Sequence, residues 1–471
     1  MNGPNTFREE ETMRRLSRRL PAHTHSKSIT SLLLGIGLAT GMSAAQAGSL
    51  LEPGTTTYQN QLVSETPLEV GPAHTLVLDT DDFFFDLSAP LVNQGVVRWL
   101  NANHYVDSDW NALAFASKSL VNKGRMIVDS YVDLHMDQGL NNQGGMLQIG
   151  ANSGVWAPSI TGGRIHGLAS TSKLNTALKD VTITGQVSAA GAAAGGTLNV
   201  FGTLGVASMS LSESTLLRGD GRTIIDHGVI KAASNAFSPQ LTIAQGHTLG
   251  GTGSLSNVAV LNQGTIENQR GELLSSNKAI VQQGTKAQMV VNGLLKAPSI
   301  QIQGGAIDMD YTGLVTGNVD IHQGRLVLHD FRDFDFENGK VGAAIEGNLT
   351  LSDKSQVEVM AGHCEPLTIF EVWGNASLDG ELVLSFLDGV RVSHTFEVIF
   401  TANSLQGSFR SLRVNGTGNL PWTFVQERVS ENQLTVTITA VPEPEIWGLM
   451  LCGLGVIGWR MRRRAPAQTT H

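Results

Sequence analysis

The sharpest cluster of reactive side chains in this 471-residue chain is Asp333-Phe334-Asp335-Phe336-Glu337. Strand alternation places the three carboxylates on one face and both phenylalanines on the other. With Asp330 close by, that face could hold a hard cation or supply the acidic pair of a polysaccharide-cleaving enzyme. One strand does not fix the separation of two carboxylates across a cleft, and a solvated acidic face needs no chemistry. Asp133, His135 and Asp137 alternate in the same way and could share a metal, although the sequence offers no further ligand. Asp79, Asp81 and Asp82 lack the spaced ligands of an EF-hand loop. Arg218-Gly219-Asp220 precedes Gly221 in a turn-like stretch that turn chemistry explains, and Asp226-His227 stands alone. The chain has no HExxH, paired CxxC, GxSxG or phosphate-loop motif. Trp110, Trp156, Trp373 and Trp422 could stack on sugars, but their irregular spacing suits burial or capping. These readings assign no catalytic, cofactor-binding or metal-binding residue.

The elements that would position such residues are short strands. Apolar bursts such as Leu76-Val77-Leu78, Met126-Ile127-Val128 and Leu326-Val327-Leu328 are separated by turn residues, with no long stretch of helical period. A local pattern recurs around them: an apolar residue, two residues often including Asn or Gln, Gly, any residue, apolar. It appears as Val92-Asn93-Gln94-Gly95-Val96-Val97, Val121-Asn122-Lys123-Gly124-Arg125-Met126, Leu261-Asn262-Gln263-Gly264-Thr265-Ile266 and Ile321-His322-Gln323-Gly324-Arg325-Leu326. The glycines at 124, 144 and 163, and those at 228, 246, 264, 284, 305 and 324, recur at 18 to 21 residues. The step from 95 to 124 is 29, room for a side loop. A period near twenty without helices predicts a solenoid: an all-β, right-handed parallel β-helix of about twelve coils, stacked roughly 4.8 Å apart. Gly supplies the turn, and Asn or Gln at a fixed point can form amide ladders between coils. The predicted organisation is a cap over 48–90, the β-helix over 91–349 and a C-terminal β region or cap over 350–440.

Composition narrows the function. The net charge is −9; six Lys/Arg against three Asp/Glu in 1–47, and four Arg against two Glu in 442–471, leave −14 for the body. So acidic a body argues against nucleic acid as a partner. Of two cysteines, Cys452 lies in an apolar tail, which leaves Cys364 without an internal disulfide partner.

Both ends carry addresses. Arg14, Arg15, Arg18, Arg19 and Lys27 precede a largely apolar stretch over 29–42 and the small-x-small triplet Ala45-Gln46-Ala47. That is the layout of a signal peptide over 1–47, cut by signal peptidase to leave Gly48 first. At the other end, Pro442-Glu443-Pro444 is followed by an uncharged run over 446–459 and by Arg460, Arg462, Arg463 and Arg464. The prolines predict extended, accessible backbone over 441–445. The run predicts a short transmembrane helix of roughly 21 Å, with the arginines on the cytoplasmic side and a seven-residue tail at 465–471.

The Pro-Glu-Pro, the Gly-rich apolar helix with its Trp447-Gly448-Leu449 and the arginine cluster resemble the PEP-CTERM sorting signal, over about the last thirty residues. The resemblance implies an exosortase-type membrane enzyme as partner, cleavage near Pro-Glu-Pro, and a Gram-negative bacterium that builds exopolysaccharide. The body is similar, in composition, to secreted β-helical adhesins and autotransporter passengers, without the membrane barrel of the latter. Together these readings predict a non-catalytic exported protein, held transiently at the inner membrane and then at the cell surface or in the extracellular matrix, where extracellular polysaccharide is a possible partner. The alternative is a β-helical polysaccharide lyase or hydrolase.

Overall fold

A computed structural model of the chain describes residues 50–80, 84–101, 111–234, 238–310, 312–329, 343–361, 367–386, 395–415, 422–440 and 444–462. They form a parallel β-solenoid and one C-terminal helix.

Each coil contributes three short strands. One coil is Leu68–Val70, His74–Asp79 and Phe84–Ser88; the next is Leu91–Asn93, Val96–Leu100 and Ala112–Ala116. Strands in equivalent positions pair in parallel from coil to coil, which gives three faces around one core. Every face sends one column of apolar side chains inward. On the first face the column is Leu91, Leu120, Leu140, Ile160, Leu178. On the second it is Leu76, Val97, Met126, Leu147, Ile165. The third carries Phe85, Ala114, Leu134, Val155, Leu174. All fifteen are buried. No single coil could bury its own inward side chains; stacking does it, at about 1.5–3 kcal/mol for each large one.

The corner between the first and second faces explains the glycine period. Gly95, Gly124, Gly145 and Gly163 stand immediately before the register-matched residues Val96, Arg125, Met146 and Arg164. Their φ angles are not left-handed, except at Gly163. What requires glycine is close approach: a Cβ on Gly95 would collide with the carbonyls of Gly71 and His74, and one on Gly124 with that of Gly95. The amides of Arg125 and Met146 donate to the carbonyls of Gly95 and Gly124, which holds successive corners against each other.

This register corrects the repeat read from spacing. Past Arg164, whose coil neighbour is Thr182, a second corner column begins four residues further on: Gly185, Gly202, Gly221, His247, Gly264, Ala287, Gly305 and Gly324 precede the register-matched Gln186, Thr203, Arg222, Thr248, Thr265, Gln288, Ala306 and Arg325. Gly228 pairs instead with Gly253 on another part of the coil, and Gly246 and Gly284 lie just ahead of the corners at His247 and Ala287. Coil steps along this column run from 17 residues, between Thr248 and Thr265, to 31, between Arg325 and Gln356.

Beside the corner runs a buried amide ladder. Asn93 Nδ2 donates to Asn122 Oδ1 at 2.7 Å, and Asn122 Nδ2 donates to Asn142 Oδ1 at 2.6 Å. Asn262 Nδ2 donates to Gln282 Oε1 at 2.9 Å further along. These side chains are inaccessible to water, so each bond replaces hydration that folding removes.

The first described strands already wind as coils: Leu50–Leu51, Gly54–Gln59 and Gln61–Val63 pair in parallel with Leu68–Val70, His74–Asp79 and Phe84–Ser88. Alternation of buried and exposed residues suffices to enter the stack. The C-terminal end closes differently. Parallel pairing persists to Ser411–Asn415, after which Gln433–Ala440 lies antiparallel between Thr395–Gly407 and Trp422–Ser430. Phe386 packs there between Phe396 and Trp422, with ring centroids 6.2 and 5.8 Å away.

Candidate functional site

Asp330, Asp333, Asp335 and Glu337 lie outside the described residues, as do Asp81, Asp82, Trp110 and Cys364. Of the acidic turn near residue 80, Asp79 is buried, and Thr80 joins the stack by donating its amide to Leu100 O at 2.9 Å. The Arg218 guanidinium is hydrogen-bonded to Asn199 of the coil before, an inter-coil contact.

Asp133 and His135 do share an outward strand face, on Val132–Met136. Asn111 Nδ2 donates to Asp133 Oδ1 at 2.9 Å. Burial raises the Asp133 carboxyl above its ordinary range, against the Asn111 hydrogen bond and the charges of His135 and Lys173. His135 is the middle rung of an aromatic stack: Phe84, Phe115, His135 and Trp156, from successive coils, with centroids 5.5, 5.3 and 4.7 Å apart. The His135 and Trp156 planes differ by 5°. Burial lowers the pKa of the imidazole, and Asp133 and Asp137 oppose the shift. The rings stack along the solenoid axis, and Trp156, the end rung, gives one ring face to His135. Gly154 makes room for it: a Cβ there would strike the Trp156 ring. Among the described residues no three His, Cys, Asp or Glu side chains converge as metal ligands. Trp422 belongs to the end closure, and Trp373 is half exposed with Nε1 3.3 Å from Glu371 Oε2.

A second carboxylate–imidazole contact, which the sequence did not suggest, joins His329 Nε2 to Asp308 Oδ1 at 2.7 Å across adjacent coils. The Asp308 hydrogen bond raises the His329 pKa, with Asp310 and Glu358 adding to it and burial opposing.

A concave feature lies along the glycine corner. It is a groove of about 640 Å³ floored by Gly124, Gly144, Gly145 and Gly163. Lys123, Arg125 and Arg164 line it, with Asp180 its single acid, engaged by the amide of Thr197 at 3.0 Å. Arg125 Nη2 donates to the neutral Gln148 Oε1 at 2.5 Å. Among the described residues, the side chains of Lys123 and Arg164 have no ion-pair or hydrogen-bond partner. Arg125 and Arg164 are 39 positions apart in the chain, and only the coil register brings them onto one column. A trace was present in the sequence, in the recurring Gly-Arg pairs at 124–125, 163–164, 221–222 and 324–325.

Of the expected processing residues, Ala45, Ala47, Gly48, Pro442, Glu443, Arg463 and Arg464 lie outside the described residues. Pro444 opens the helix Pro444–Arg462, so Pro444 and Glu445 are helical rather than extended. A proline at the first helical position loses no hydrogen bond, which is why the helix can start there. Arg460 and Arg462 fall in its last turn. The expected transmembrane assignment is corrected: no helix among the described residues is long and apolar enough to cross a membrane. Glu445 and the arginines confine the uncharged part to 446–459, roughly 21 Å against about 30 Å of hydrocarbon.

No known protein family matches the chain, and no curated protein is similar to it in sequence.

Proposed function

We propose that this is a non-catalytic, exported β-solenoid of right-handed winding, sorted through its C-terminal tail by an exosortase-type membrane enzyme. It then serves as a structural or adhesive element in an extracellular polysaccharide matrix. The observation that carries the sorting half is the C-terminal helix. Every residue from 449 to 460 is exposed, including Leu449, Leu451, Leu454, Val456, Ile457 and Trp459. A helix apolar all round, with no core to cover it, calls for lipid or a membrane protein. Too short to span, it suits shallow, transient seating with its arginines at the headgroups. The Pro-Glu-Pro, the Arg cluster and the signal-like N-terminus support the same route.

The uninterrupted parallel stack supports the adhesive half. It offers long outer faces with the same slot repeated once per coil, a geometry suited to an extended polymer. The test is retention of the full-length chain by the exopolysaccharide of a producing bacterium, run alongside glycan-cleavage assays with and without Ca²⁺. Retention without cleavage is the expected result. Turnover lost on Asp333→Ala or Asp335→Ala would replace this reading with that of a polysaccharide-cleaving enzyme.

A further inference from the structure

The corner groove identifies the kind of polymer. At four coils the residue after the corner glycine is an outward arginine: Arg125, Arg164, Arg222 and Arg325. Two of these are neutralised within the fold. Arg222 is ion-paired with Glu267, and Arg325 Nη1 meets Glu358 Oε2 at 2.8 Å. The other two are not. Arg125 faces a neutral amide, Arg164 faces nothing, and Lys123 adds a third cation to the same groove. Three cations against the single carboxylate of Asp180 leave the groove net positive in a body of charge −14. Glycine keeps side chains off the floor, so a ligand can lie against the backbone between the cations. Arg125 and Arg164 stand two coils apart, about 10 Å along the stack, and the groove runs with it.

Resting on the proposed matrix role, we infer that this groove binds an acidic polysaccharide lengthwise. Its carboxylate or sulfate groups pair with Arg125 and Arg164, and Lys123 engages the same stretch. An extended glycan fits better than duplex nucleic acid, which needs a broad cationic surface that a body of charge −14 does not offer.

The experiment measures binding of the full-length chain to immobilised polygalacturonate and to dextran, comparing the native protein with the Lys123→Gln, Arg164→Gln double variant. Both side chains are unpartnered, so folding should persist, and circular dichroism checks it. The expected result is salt-sensitive binding to polygalacturonate that falls about ten-fold or more in the variant, with little binding to dextran. Equal affinity in the variant, or preference for dextran, overturns this inference and leaves the matrix role intact. Equally tight binding to duplex DNA or to phosphatidylglycerol vesicles overturns the choice of glycan. Failure to bind any polysaccharide, including that of the producing bacterium, overturns both.

Discussion

His247 stands where other coils have glycine, and it should make the solenoid acid-sensitive at one defined corner. Its side chain is fully buried, with Nε2 3.0 Å from Thr223 Oγ1. Burial pushes its pKa from 6.5 down to about 4, against a smaller upward pull from the Gly219 backbone. The unfolded chain takes up a proton near pH 6.5, while the native chain refuses it until about pH 4. Between those values the unfolded state binds more protons, so stability is complete above 6.5 and drains away as the pH falls toward 4. At 1.36 kcal/mol per pH unit of separation, the loss amounts to about 3 kcal/mol. Urea unfolding at pH 7, 6, 5 and 4, for the native chain and for His247→Gln, isolates this contribution, because every other titrating group is common to both. The glutamine variant is expected to be the less stable at pH 7, having lost a fitted side chain. Its deficit should shrink by about 3 kcal/mol on the way to pH 4, the native chain weakening faster. Two curves that stay parallel throughout would refute the buried, neutral histidine.

Three further substitutions probe the stack. Asn122→Ala removes the middle of the amide ladder and orphans the Asn142 carbonyl, at an expected cost of about 2–4 kcal/mol in the unfolding midpoint; Asn122→Asp tests whether the donor is the essential half. Gly124→Ala drives a Cβ into the backbone of Gln94 and Gly95, which cannot move without parting two coils, and should cost about 1–3 kcal/mol although the added group is one methyl. Trp156→Ala ends the ring stack at His135 and is expected to cost about 1–2 kcal/mol while raising the His135 pKa toward 6.5, as NMR titration would show; an unchanged pKa would mean that the ring is not buried by its neighbour.

The all-β class was legible because burial follows alternation, and alternation is written in bursts such as Leu76-Val77-Leu78. The amide ladder was legible as well, because Asn93, Asn122 and Asn262 each precede a corner glycine by two positions. Register was less so. Glycine serves several purposes in these coils, and spacing alone could not separate Gly228, on another part of the coil, from the corner glycine at 221. Insertions hid the period in the same way: the step from Val96 to Arg125 is 29 residues, and that from Arg325 to Gln356 is 31. The basic groove escaped notice because its members are distant in the chain and ordinary one by one. What distinguishes Arg125 and Arg164 from Arg222 and Arg325 is that neither is ion-paired to an acid across the coils, a property of pairing that no local motif records. The aromatic stack was hidden for the opposite reason, since one rung is a histidine and its side chain drew attention as a ligand. At the C-terminus, proline signalled a break, yet Pro444 proved to be where the helix begins.

Sorting through the tail is the central claim, and intact-mass spectrometry of the protein recovered from the producing bacterium tests it most directly. The account predicts a mature chain that starts at Gly48 and ends near Pro442-Glu443-Pro444 in the extracellular fraction, with the helix and its arginines gone. A chain recovered outside the cell with Arg464 still attached would contradict it.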